Sequence, residues 1–197
     1  MGQELEYKYK LENQVQYEAV RTILEERFPG GWETVKMETE YYDTQDLYLS
    51  SRQWTLRIRC ENGSGVLTVK TPGNGRIRGE WEVPEGTLPD GLISLVRRGA
   101  PEELMELYQQ PLRVRCGARF HRLRRVVELP QVRVELALDR GVLMGAGKEL
   151  PFWELEAELK DGDAEALLTW CGSLAREMDL TEEPRSKFVR ASGLAEG

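Results

Sequence analysis

Glu4-Leu5-Glu6-Tyr7-Lys8-Tyr9-Lys10, at the start of the chain, decides how the rest of the sequence reads. Successive side chains of an extended strand point to opposite faces. Glu4, Glu6, Lys8 and Lys10 therefore share one face, and Leu5, Tyr7 and Tyr9 share the other. The arrangement returns late in the chain as Glu154-Leu155-Glu156-Ala157-Glu158-Leu159. Glutamate is a poor strand former, and like charges on one strand face repel. A chain that repeats this pattern is expected to hold a cation there.

The segments between carry the same alternation. Trp54 to Cys60 sets Arg57 and Arg59 against Leu56 and Ile58. After an Asn62-Gly63-Ser64-Gly65 turn, Val66 to Lys70 returns as its hairpin partner, with Thr68 and Lys70 on one face. Arg76, Arg78, Glu80 and Glu82 share a face opposite Ile77, Trp81 and Val83. Phe120 to Leu129 places Arg122 and Arg124 opposite Leu123, Arg125 and Val127. Val132 to Asp139 sets Arg133, Glu135 and Asp139 against four aliphatic residues. Helical spacing is predicted over 13–28, in two short pieces over 92–108, and after the cap at Asp161-Gly162-Asp163. Residues 38–49 are expected to be extended, with a break near Asp43-Thr44-Gln45-Asp46, where Asp or Thr closes a local hydrogen bond.

Seven or eight mostly antiparallel strands with one charged face suggest a barrel or strongly curled sheet. Its apolar face would lie outward against helices, and its charged face would line a tunnel. Taken singly, each strand reads as the half-solvated face of an ordinary antiparallel sheet. Two features oppose that reading for the whole set. The charged residues separate into Arg-rich and Glu-rich strands, and the two Glu-x-Glu strands repel without a counter-ion. Carboxylates without accompanying His or Cys suit Mg²⁺ or Mn²⁺, and clustered Arg and Lys suit phosphate oxygens.

Composition bounds the alternatives. The 197 residues, 40% hydrophobic and 31% charged, fit one domain over residues 1–197. No apolar run approaches the ~20 residues that span a bilayer, and the N-terminus carries no signal-peptide pattern. Cys60, Cys116 and Cys171 form no Cys-x-x-Cys pair, which points to a reducing cytoplasm. His121 is the only histidine, and the net charge of −7 argues against nucleic-acid binding.

These residues together resemble the CYTH, or triphosphate tunnel metalloenzyme, superfamily. Glu4-x-Glu6-x-Lys8 resembles its N-terminal signature, Leu56-Arg57-Ile58-Arg59 its L-R-x-R strand, and Leu67-Thr68-Val69-Lys70 its T-x-K strand. Arg78-Gly79-Glu80-Trp81-Glu82 resembles R-x-E-x-E, Glu135 with Asp139 resembles E-x-x-x-D, and Ser186-Lys187 with Arg190 resembles the closing S-K-x-x-R. From the residues alone, that last segment reads as a simple basic tail.

The resemblance implies an α+β fold, an eight-stranded antiparallel barrel with helices on its outside. It implies metal-dependent hydrolysis of a triphosphate, foremost inorganic triphosphate. Thiamine triphosphatase, nucleoside triphosphatase and adenylyl cyclase are alternatives within the class, and a polyphosphate-binding sensor is the non-enzymatic one. Oligomeric state stays open. Glu4, Glu6, Glu135, Asp139, Glu154, Glu156 and Glu158 would hold Mg²⁺ or Mn²⁺. Lys8, Lys10, Arg57, Arg59, Lys70, Arg78, Arg122, Arg124, Lys187 and Arg190 would bind substrate, with Glu4, Glu6 and Lys70 catalytic. Arg125 and Ala191 depart from the residues usual there and bear on substrate preference at the tunnel edges. Many bacterial relatives carry a second, histidine-rich helical domain, which is not expected after Arg190.

Overall fold

Among the described residues, eight strands pair edge to edge into a closed ring. They are β1 (Gly2–Leu11), β2 (Glu33–Asp43), β3 (Thr55–Glu61), β4 (Ser64–Thr71), β5 (Ile77–Pro84), β6 (Arg113–Leu129), β7 (Val132–Gly145) and β8 (Lys148–Gly162). They pair antiparallel in the order β5-β4-β3-β2-β6-β7-β8-β1. β1 bonds to β8 through residues 6–11 and to β5 through residues 2–5, which closes the ring. A two-residue strand, β9 (Thr181–Glu182), adds to β1 at Tyr9 and Lys10. The computed structural model describes residues 2–73, 77–84 and 87–195, with backbone alone at Gln3, Glu4, Ile77 and Ala195. Arg76 and the side chain of Glu4 therefore lie outside the described residues.

Local chemistry sets the turns and caps. Asn62 and Gly63 both take positive φ, at 48° and 92°, as a tight β3–β4 hairpin requires. Helix α1 (Gln14–Arg27) starts at Asn13, whose side chain accepts from Val15 N and Gln16 N. Gln16 reciprocates by accepting from Glu12 N at 2.7 Å. At the other end of α1, the Arg125 guanidinium donates to the carbonyls of Phe28 and Pro29 at 2.7 Å. Those carbonyls have no helical partner, so Arg125 acts outside the barrel rather than at a tunnel edge.

The expected break at Asp43 is real, but residues 48–51 form a short helix, α2 (Tyr48–Ser51), rather than more strand. Asp43 is fully buried and accepts from Thr44 N, Leu49 N, Ser50 N and the Ser50 hydroxyl at 2.6–3.0 Å. Four donors satisfy both carboxylate oxygens and wind the chain into a turn, which strand propensity could not foretell.

Three apolar cores follow. Outside β1, β7 and β8, helices α1 and α4 (Ala164–Glu177) bury Tyr7, Leu136, Leu155, Leu24 and Leu167. Outside β3, β4 and β5, helix α3 (Leu88–Arg97) and the 3-10 helix Glu102–Leu107 cover Leu56, Leu67 and Val69. The third core lies within the ring, which corrects the expectation of a wholly charged interior. Val35, Met37, Tyr41, Ala118, Phe120, Leu143 and Phe152 pack there against α5 (Lys187–Ser192).

Helix α5 is the segment that reads as a basic tail from its residues alone. Ser186 caps it by accepting from Val189 N at 3.2 Å. Phe188 packs against Tyr41 in a tilted ring pair, with centroids 5.3 Å apart. A Cβ on Gly145 would stand 2.2 Å from the Ala191 carbonyl, so glycine at this position lets the helix approach. Ala191 itself is fully buried. The interior is thus half filled with apolar side chains and half left polar.

Candidate active site

The polar half is a cavity of about 190 Å³. Lys8, Arg57, Arg59, Lys70, Arg78, Arg122, Arg124, Lys160 and Lys187 line it, together with Glu6, Glu61, Glu80, Glu82, Glu135, Glu156 and Glu158. Two walls differ in character. Glu6, Glu158 and Glu135 occupy matched register positions on the adjacent strands β1, β8 and β7. Three carboxylates side by side on one face are mutually repulsive. Lysines stand beside them: Lys8 Nζ lies 3.5 Å from Glu6 Oε1, and Lys160 Nζ lies 2.8 Å from Glu158 and 3.8 Å from Glu135.

The other wall, on β3 to β6, is basic. Its cations are spaced by Glu61, Glu80 and Glu82. Glu80 contacts Lys70 at 3.3 Å and Arg57 at 3.5 Å. Glu82 accepts from Arg59 at 3.3 Å and from the Thr68 hydroxyl at 3.0 Å. Glu61 lies 2.8 Å from Arg59 and 3.5 Å from Arg124. Burial and the adjacent Arg57 push the Arg59 pKa below its ordinary value. Confining like charges this way costs stability unless an anion enters.

Beneath the cavity is a second group of carboxylates. Asp139 and Glu154 are fully buried, and with Glu156 they bring ligand atoms within 4.8 Å of one another. Cations stand among them. Arg122 donates to Asp139 through two nitrogens at 2.8 and 2.7 Å and also contacts Glu156. Lys187 Nζ lies 2.8 Å from both Asp139 and Glu156 and touches Glu154, and Arg190 also bonds Glu154. Burial opposes the charges of Arg122, Lys187 and Glu156, yet their partners outweigh it. Asp139 and Glu156 hold the Arg122 pKa well above its ordinary value, and Asp139 and Glu154 raise that of Lys187. Lys187 and Arg122 depress Glu156, whereas burial raises Glu154.

Most of the residues singled out from sequence thus converge on one space. Asp139, Glu154 and Arg190 do not reach the cavity and belong to the buried group. Lys10 is half exposed and bonds Glu12 at 3.0 Å, because β1 has left its β5 partner there and runs beside β9. Arg133 is exposed and pairs with Glu128 at 3.4 Å beyond the rim. His121 is exposed on the outer face. Glu61 and Lys160 were not singled out. Each is one alternation step past a motif, after Arg57-x-Arg59 and after Glu156-x-Glu158.

A closed antiparallel ring around a charged cavity defines the chain as a tunnel barrel. The CYTH domain family matches residues 2–190, and the chain belongs to that family. An inorganic triphosphatase from Haemophilus influenzae is 32% identical over 207 residues, covering 96% of this chain and 54% of its own. The chain therefore spans about half the length of that relative. A Hippeastrum adenylyl cyclase candidate with a dominant triphosphatase activity covers 97% of this chain and 95% of its own, with TM-score 0.64 and 16% identity. A Pyrococcus horikoshii protein covers 98% of both chains, with TM-score 0.62 and 23% identity. At those identities the two structures establish the fold alone. No helix among the described residues is long and apolar enough to cross a membrane.

Proposed function

We propose that the protein hydrolyses a triphosphate inside the barrel, with inorganic triphosphate as its preferred substrate. The observation that carries this reading is the opposition of two walls across one cavity. A basic wall presses Arg57, Arg59, Lys70, Arg78, Arg122 and Arg124 together, and the facing wall aligns Glu6, Glu158 and Glu135. The likeness to the Haemophilus influenzae triphosphatase supports the choice of substrate.

A divalent ion fits the acidic wall. The donor set is all carboxylate, as Mg²⁺ and Mn²⁺ prefer, and the row needs positive charge to offset its repulsion. Glu6, Glu158, Glu135 and Glu156 would hold it, with Glu4 added from the N-terminal motif. When bound, such an ion neutralises phosphate charge and makes water a stronger nucleophile.

The chain's own residues then do the positioning. Guanidinium groups grip nonbridging oxygens through paired hydrogen bonds and hold the chain of phosphates in line. Water attacks the terminal phosphorus, the bond to the bridging oxygen breaks, and diphosphate and orthophosphate separate. Lys70 and the arginines offset charge growing on the leaving and nonbridging oxygens.

The test is orthophosphate release from tripolyphosphate with and without Mg²⁺ or Mn²⁺, run beside ATP with cyclic AMP measured in parallel. Metal-dependent release that is fastest from tripolyphosphate is the expected result. Faster turnover of ATP, or cyclic AMP as product, would replace the substrate. Tight binding of tripolyphosphate with no release in either metal would make the protein a sensor.

A further inference from the structure

Lys160 has no place in the motifs, yet the fold spends an irregularity on it. Across β7 and β8, Val134 pairs with Leu159 and Arg133 with Asp161, so Lys160 is the extra, unpaired residue of a β-bulge. Bulges re-aim side chains, often beside active sites. This one follows Glu158 and leaves Lys160 unpaired, in phase with Glu156 and Glu158, with its ammonium on the acidic row 2.8 Å from Glu158 and 3.8 Å from Glu135. The side chain is about one-third exposed, at 31%, so it can swing into solvent without opening the core.

The row therefore carries a tethered cation of its own where carboxylates from three strands meet. We infer that Lys160 stands in for the divalent ion at Glu135 and Glu158, and that metal entry displaces it. The chain thereby weakens its own affinity for metal and keeps the acidic wall from repelling itself apart when no metal is bound. Lys8 does not substitute for it, because Lys8 is buried and contacts Glu6 at the other end of the row. The inference rests on reading Glu6, Glu135 and Glu158 as metal ligands.

The test uses the full chain without substrate and measures Mn²⁺ binding by the loss of the free-ion resonance signal. Lys160→Met should bind Mn²⁺ about tenfold more tightly than the wild type, the effect of removing roughly one pKa unit's worth of competing charge. Lys160→Arg keeps the charge and should stay near the wild-type affinity. Glu135→Gln should bind more weakly than the wild type. Unchanged or weaker Mn²⁺ binding in Lys160→Met, with a wild-type melting temperature, would overturn the role of Lys160 while leaving the metal site standing. Absence of Mn²⁺ binding in wild type and variant alike would overturn both.

Discussion

Glu154, Glu156 and Glu158 lie on one strand, on one face, two residues apart, and come to different ends. Glu154 is sealed beneath the cavity among Lys187 and Arg190, while Glu158 faces the cavity with a partly exposed lysine beside it. Glu156 stands at the border and serves both groups, lining the cavity and accepting from Lys187. The difference lies in what stands opposite. Where α5 enters the barrel it brings fixed cations that match the buried carboxylates. Where α5 does not reach, the acidic row meets the buried Lys8 at one end and the partly exposed Lys160 at the other, with open cavity beside it. Charge compensated by rigid, buried partners is structural; charge compensated by movable ones is available for binding.

The sharpest way to break this comparison is in the open row. Glu158→Gln should lower turnover of tripolyphosphate at least about a hundredfold, the scale of one lost charge-stabilising contact, and leave unfolding free energy within about 0.5 kcal/mol. Measured kcat and a urea unfolding curve on the same sample separate the two effects. Retained turnover in both Glu158→Gln and Glu6→Gln would remove the row from the chemistry.

The buried group should behave in the opposite sense. Lys187→Met strands three carboxylates without their shared cation, so unfolding should become easier by about 3–5 kcal/mol. Lys160→Met, at a partly exposed pair, should change stability by no more than about 1 kcal/mol. Equal losses in the two variants would show that the regions are not distinct.

A smaller effect marks the link between α5 and β1. Glu183 is buried, its backbone N–H donates to Lys8 O at 2.8 Å, and its carboxylate takes hydrogen bonds from Arg185 at 2.8 and 2.7 Å. Those bonds depress the Glu183 pKa to about 2 from an ordinary 4.5. A folded pKa below the unfolded one gives stability that is present above about pH 4.5 and lost as pH falls toward 2. Glu183→Gln should therefore flatten that part of the acid limb of the stability profile. Glu156, also depressed, contributes in the same direction and keeps the limb from vanishing. An unaltered acid limb would mean that the Glu183–Arg185 contact does not persist in solution.

Much of this was legible because alternation is a local property. The inward face of each strand could be read from residue spacing, which is why Glu6, Lys8, Arg57, Arg59, Lys70, Arg78, Arg122 and Arg124 all meet in one cavity. Lys160 shares the inward parity of Glu156 and Glu158 but lies one step past their motif, at the unpaired position of a bulge, where the paired strand pattern ends. Asp43 signalled a turn but not the helix it holds, since its four donors come from residues up to seven positions away.

By itself, the sequence determined the strands, their charged faces and the cap at Asp163, because steric alternation and capping act over a few residues. Only the tertiary structure decided which carboxylates stay available. That choice depended on where α5 lodges inside the ring, and no local pattern records it. The energy of a buried charge is set by the distance to its partners, and those partners lie far along the chain, 17 residues for Arg122 and Asp139 and 31 for Lys187 and Glu156.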